Sequence, residues 1–358
     1  MNIDFHYGVI YVVTRLAGMG PEEAQTVAHA CQYIDDSTVP GILDFENGET
    51  FYRFASAHKM CDYKNELNEI NRLVWAPFHF LPAGQGETLD EKSICMPDSA
   101  IAREMVRRGI RARNTNNGLH RLGVTLHVYV DTWAHQKFSG TKSPHNIITS
   151  LEGDDHDHAT WLGKLKGFLT EAGENVESEF VDLISGLGHG AALHFPDMPW
   201  AKWKYTNGHG IVIERDNLPE FVQAADMACK VVQGFIKGNE SFETESGLNR
   251  DAKQAIQEFL GSNRDHDEHK RYDSLSIAVA NGRIPGIKEE IPKYIDKGEN
   301  SWKHAATGIT ATDSDVGSKP VWSQAFEDSD YRKFHDAVKE HRFVVTQEIL
   351  PAHQVRLA

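Results

Sequence analysis

The chain has 358 residues, 40% of them hydrophobic and 25% charged, and its 37 basic against 52 acidic side chains leave a net charge of −15. Such composition is ordinarily globular, the length admits one large domain or two, and the acidity argues against an unaided grip on phosphate backbones or anionic lipid. Four scattered cysteines (Cys31, Cys61, Cys95 and Cys229), with no C-x-x-C pair, argue against a thiolate zinc site and a disulfide framework, so buried free thiols are expected.

The N-terminal apolar run follows Asp4, lacks a basic leading segment and is interrupted by Arg15. Neither a secretory signal nor a membrane span is expected. The reading is cytoplasmic, compatible with export as a toxin-like effector by a signal-less route.

In chain order, 3–17 reads as a buried helix carrying His6, closed by Gly18 and Gly20. Pro21-Glu22-Glu23 opens a second helix with proline in the first turn and acids at the positive dipole end, and it runs to Asp35-Asp36. Helical patterns recur near 51–59, 63–74, 98–112, 118–140, 159–171, 174–187, 217–236, 249–260, 268–280 and 326–348, between loops rich in Gly, Pro, Asn and Asp. The polar stretch 298–325 reads as a long loop or a linker. Alternating strand patterns are scarce, and 210–213 is the best short candidate. Many helices and few strands predict an all-α fold, a multi-helix bundle with additional C-terminal helices. Motifs crowd before residue 210. That suggests a metal-binding catalytic domain over 1–215 and a helical cap or accessory region over 216–358, with a soft boundary.

The segment 118–140 organises the rest. Beside its apolar stripe runs Gly123, His127, Asp131 and His135 at four-residue spacing, and residues four apart on a helix stand one above the other. His127 and Asp131, with Cβ atoms about 6 Å apart, can share a cation. His127 and His135, separated by a rise of about 12 Å, suit two ions with Asp131 between them. Nineteen histidines in the chain raise the expectation of metal.

Other candidates are His6, set among apolar residues, and Asp35-Asp36, whose paired carboxylates oppose the negative end of their own helix. His79 lies in the proline-bracketed run Trp75-Ala-Pro-Phe-His-Phe-Leu-Pro82, with His58 a weaker candidate upstream. His189, His194 and Asp197 precede Pro199-Trp200. The acidic tract Asp154-Asp-His-Asp-His158 reads as a solvated loop. No G-x-S-x-G elbow, P-loop, H-E-x-x-H or dinucleotide glycine motif stands in its required context. What remains is an imidazole–carboxylate set without thiolates, which suits an open, multi-ion catalytic site.

These motifs, spread over about residues 1–200, resemble the zinc-dependent phospholipase C and fungal single-strand nuclease superfamily. The resemblance implies an α-helical bundle with three clustered zinc ions in a cleft. That family's H-x-x-x-D helix with a further histidine is similar to His127-x3-Asp131-x3-His135. Its early aspartate matches Asp35 in ACQYIDD, its Pro-hydrophobic-His-Phe histidine matches His79, and its later histidine matches His189 or His194. By resemblance, Asp35, His79, His127 and Asp131 surround one side of the cluster, and His135, His189, His194 and Asp197 the other. Two departures stand out. The family ligates metal through an N-terminal Trp, whereas residue 1 here is Met, which leaves that role absent or taken by His6. The spacings around His135 and His189 also differ.

Together these readings predict a hydrolase with two or three zinc ions, most readily a phospholipase C-like phosphoesterase, with Asp35 orienting or deprotonating the attacking water. The predicted substrate is a small phosphoester or phospholipid rather than nucleic acid, with peripheral membrane contact and a protein partner on the C-terminal helices as further possibilities. The alternatives are a metal-dependent nuclease, a hydrolase of another bond such as an amide, and a non-catalytic protein whose metal stabilises the bundle.

Overall fold

Helix α6 (Gly118–Ala134) is buried along nearly its whole length and is the axis on which the other helices pack. A helix apolar on every side belongs at the centre of a core rather than on its surface. The computed structural model describes residues 1–58, 72–154, 188–311 and 319–357.

The chain opens with a π-wound segment, Asp4–Val9, that runs directly into α1 (Ile10–Leu16). Helix α2 (Pro21–Asp36) begins at the predicted proline, and Glu23 Oε2 accepts the Gly20 N–H at 3.2 Å. It lies against α6 at Gly123, where a Cβ would stand 2.5 Å from the Val27 carbonyl oxygen, so only glycine permits this approach.

Around this pair, in chain order, come α3 (Arg72–Phe78), α4 (Leu89–Lys92), α5 (Ala100–Arg111) and, after α6, the 21-residue α7 (Asn217–Lys237). Then come α8 (Arg250–Ser262), α9 (Glu268–Ala280), α10 (Trp302–Thr307), α11 (Gln324–Glu327) and α12 (Asp330–Phe343). One continuous apolar core takes in Phe5, Leu126, Phe221 and Phe334, and so extends across residue 215.

The all-α expectation fails. Strands β1 (Gly41–Asp44) and β2 (Thr50–Arg53) form an antiparallel pair, and β3 (Ile148–Gly153), β4 (Lys202–Asn207) and β5 (Val212–Asp216) form a second antiparallel sheet in the order β3-β4-β5. The fold is mixed, with helices predominant. The segment near 51–59, expected as helix, instead pairs Phe51 and Tyr52 with Leu43 and Ile42. Four-residue strands carry too few alternations to stand out from helix patterns. Strand β4, Lys-Trp-Lys-Tyr-Thr-Asn, does alternate outward lysines with inward aromatics, the half-buried period of two.

The second sheet has its own smaller core of Phe80, Phe138, Phe195, Trp203 and Tyr205, in which Phe138 stacks on Tyr205 at 5.2 Å. Cys31, Cys95 and Cys229 are buried free thiols. The patterns 159–171 and 174–187, most of 63–74, Cys61 and residues 155–158 of the acidic tract fall outside the described residues. Among those described, no helix is long and apolar enough to cross a membrane.

Candidate metal centre

The two apolar cores meet at a cluster of imidazoles and carboxylates. Helix α6 contributes His127 and Asp131, with His135 as its C-terminal cap residue. Asp35 comes from the last turn of α2, His6 from the π-wound segment and His79 from the turn after α3. His189 and Asp197 come from the loop 188–197. That loop is stapled to the start of α7 by the buried Asn217, whose amide donates to the Phe195 and Met198 carbonyls at 2.7 and 2.8 Å.

Each of four histidines is oriented by a backbone carbonyl. His127 Nδ1 donates to the Cys31 carbonyl at 2.8 Å, His79 Nε2 to Ser56 at 2.9 Å, His135 Nδ1 to His79 at 2.7 Å and His189 Nδ1 to Leu193 at 3.2 Å. A neutral imidazole that donates through one nitrogen presents a lone pair on the other. Burial, reinforced by His6, lowers the His127 pKa to about 4; burial also lowers that of His189 to about 4 despite the pull of Asp197. Both rings are therefore neutral at pH 7.

The bare nitrogens converge on carboxylate oxygens. His79 Nδ1 and His127 Nε2 face each other at 3.4 Å. Asp35 Oδ1 is 3.7 Å from each of them. Asp131 Oδ2 is 3.6 Å from the first and 3.3 Å from the second. These lengths exceed good hydrogen bonds, but they match the edge of a tetrahedron whose centre lies 2.0–2.1 Å from each corner, which is about 3.3 Å. Asp131 Oδ2, buried, accepts no hydrogen bond among the described residues. Lone pairs aimed at carboxylates across such gaps repel unless a cation lies between them. Asp35, His79, His127 and Asp131 thus form a first position that fits a divalent ion.

A second position follows the same geometry. His135 Nε2 is 3.5 Å from Asp197 Oδ1, and His189 Nε2 is 3.5 Å from Asp197 Oδ2. His135 thus presents its free Nε2 to Asp197, while its Nδ1, which donates to the His79 carbonyl, lies 3.4 Å from Asp131 Oδ2, so Asp131 stands between His127 and His135.

His6 behaves differently. Its Nδ1 lies 3.1 Å from Asp35 Oδ2 and its Nε2 3.0 Å from Asp131 Oδ1. Burial and the Met1 amino group lower its pKa, but Asp131 and Asp35 override them and raise it. His6 bridges the two carboxylates, and it serves a third position with His127 and Asp131 only by releasing one of them.

The Met1 amino group donates to Asp131 Oδ1 at 2.7 Å and lies 3.2 Å from Asp197 Oδ1. Burial opposes its charge, yet Asp131, Asp197 and Asp35 raise its pKa to about 11. The resemblance gives the N-terminal residue a role at the metals, expected here to be absent or taken by His6; the amino group itself reaches two carboxylates of the centre.

His194 stays on the rim, outside these groups, and His58 lines the cavity mouth. The cavity that opens on the centre has a volume of about 380 Å³. Its wall sets Trp75, Phe80 and Leu193 against Gln32, Asp36 and Glu268, and among the described residues no lysine or arginine lines it.

The chain belongs to a family of unknown function, DUF6765. The match covers residues 1–349, and so takes in every side chain of the centre. No curated protein and no solved structure matches the chain.

Proposed function

We propose that this member of DUF6765 is a zinc-dependent hydrolase, and that it cleaves a phosphoester in the cavity beside the centre. The observation that carries the reading is the first position, where two imidazole nitrogens 3.4 Å apart each lie 3.3–3.7 Å from two carboxylate oxygens. The resemblance to the zinc-dependent phospholipase C superfamily supports it, since the residues carried over by motif converge here.

Zinc bound at such positions neutralises phosphoryl oxygens and brings the pKa of a water toward 7. The protein's own part is orientation. The Cys31, Ser56, His79 and Leu193 carbonyls fix the rings, as outer partners do for metal-ligating histidines. Asp35 is held at about 2, because His127, His6 and His79 outweigh the effect of its burial. So acidic a carboxyl is a weak proton acceptor near neutrality, and in this reading it acts as a ligand and orienter.

The lining selects the substrate class. With no lysine or arginine among the described residues that line it, the cavity offers little to extra phosphates, which disfavours oligonucleotides and nucleoside polyphosphates. Trp75, Phe80 and Leu193 suit an apolar or aromatic substituent on a phosphodiester carrying a single negative charge.

Elemental analysis after zinc reconstitution, paired with turnover of bis(4-nitrophenyl) phosphate, tests the reading with wild type beside Asp131→Asn. At least two equivalents with turnover in wild type, and loss of turnover with a fall in zinc content in the variant, are expected. Full zinc content in Asp131→Asn overturns the centre as drawn. Zinc without phosphoester turnover in wild type overturns the phosphoesterase reading and leaves a metal centre of another purpose.

A further inference from the structure

Away from the centre, three side chains from separate segments point at one spot. Asp90 lies on α4, His145 in the turn Pro144–Asn146, and His209 in the hairpin turn between β4 and β5. His145 Nε2 and His209 Nε2 each lie 3.5 Å from the same oxygen, Asp90 Oδ2, and the two rings are 4.5 Å apart. None of the three belongs to the groups of the centre.

Hydrogen bonds from imidazole to carboxylate run at about 2.7–2.9 Å, so these contacts are too long for them. They are close to the edge of about 3.3 Å expected for ligands around one tetrahedral zinc.

The two loops are braced to hold this geometry. Buried Asn207 accepts the His209 and Ile211 N–H groups through Oδ1, each at 3.0 Å. Its amide nitrogen sits 3.5 Å from His145 Nδ1, which leaves Nε2 facing Asp90. Ser143 Oγ accepts the His145 N–H at 3.0 Å. Gly208 donates to the Pro144 carbonyl at 3.0 Å, and a Cβ there would lie 2.6 Å from that oxygen. His209 is 41% exposed at its side chain and His145 13%, so an ion enters from solvent and water completes its shell.

We propose that Asp90, His145 and His209 form a separate divalent-cation site of the zinc class, which ties α4 and the 144–146 turn to the β4–β5 hairpin. The site is independent of the function proposed for the centre.

Zinc titration by calorimetry on the full chain, with Asp90→Asn, His209→Gln and the control His269→Gln, tests it. Asp90→Asn keeps the shape and hydrogen-bonding capacity of the side chain but not its charge. His269, 71% exposed at its side chain, stands for an ordinary surface histidine. The expected result is one equivalent fewer in each site variant and none lost in the control, with far-UV dichroism of the zinc-free proteins unchanged. A cobalt titration is expected to show tetrahedral d–d absorption that falls by one equivalent's share in the same two variants. Identical stoichiometry in wild type, Asp90→Asn and His209→Gln overturns the proposal, whatever ions the centre takes up.

Discussion

Arg271 clamps Asp4 through both carboxylate oxygens, Nε to Oδ2 at 2.7 Å and Nη2 to Oδ1 at 3.0 Å, with both side chains almost wholly buried. The pair joins α9 to the turn that carries His6, and the guanidinium also donates to the Asp265 carbonyl at 2.8 Å. Removing one member of a buried pair strands the other charge. Arg271→Met is therefore expected to cost about 3–5 kcal/mol in urea unfolding. The double variant with Asp4→Leu should recover most of that loss. Full loss in both would mean that packing, not charge, carries the contact.

Gly123 sets the distance between α2 and α6. In an exposed helix, alanine in place of glycine gains about 1 kcal/mol. Here the added Cβ meets the Val27 carbonyl at 2.5 Å and Ala30 Cβ at 2.6 Å. Gly123→Ala is expected to reverse the sign and destabilise by about 1–3 kcal/mol. Because the Cys31 carbonyl orients His127, the same variant should weaken zinc binding by about 10-fold, readable by competition with a chelator.

Acid stability depends on buried neutral histidines away from the centre. Burial lowers the pKa of His29, His335 and His341 to about 3 each. Their unfolded value is near 6.5, so below that pH the unfolded chain binds protons that the folded chain refuses. The contribution is complete above pH 6.5 and is lost as pH falls toward 3, at about 1.4 kcal/mol per unit for each ring. The melting temperature should fall steeply between pH 6 and pH 4, less so in His335→Phe. An equal acid slope in that variant would show that carboxylates alone set it.

Metal linkage offers a fourth check. A ligand held only by the folded state, at about a hundredfold excess over its dissociation constant, stabilises by about 2.7 kcal/mol. Zinc should raise the melting temperature of wild type and a chelator should lower it. Asp131→Asn should show a smaller response, due to the second position and the site at Asp90.

Local signals carried much of this. The proline and acids at 21–23 placed α2, and the four-residue stripe placed His127 and Asp131 on one face of α6. Aspartates at a helix end and histidines among prolines were legible because both are expensive without a partner. What stayed hidden depended on chain sections meeting at a distance. The Ser56 carbonyl that turns His79, the Asn217 staple and the Met1 amino group leave no local trace. The triad of Asp90, His145 and His209 comes from a four-residue helix and two polar turns, where such residues usually signify solvent. Apart from β5, which begins inside the candidate 210–213, the strands escaped because four to six residues, half of them polar or aromatic, look much like a helix turn or a pocket wall.

The two apolar cores stop short of each other, and the gap between them is filled by eight ionisable side chains and the Met1 amino group. Leucine and phenylalanine at those positions would fuse the cores and spare the desolvation of so many charges. A chain shaped by folding alone would close this seam. Its persistence marks the polar wedge as the part of the molecule for which stability has been sacrificed, and it makes substitutions there the ones most able to raise the melting temperature while abolishing whatever the protein does.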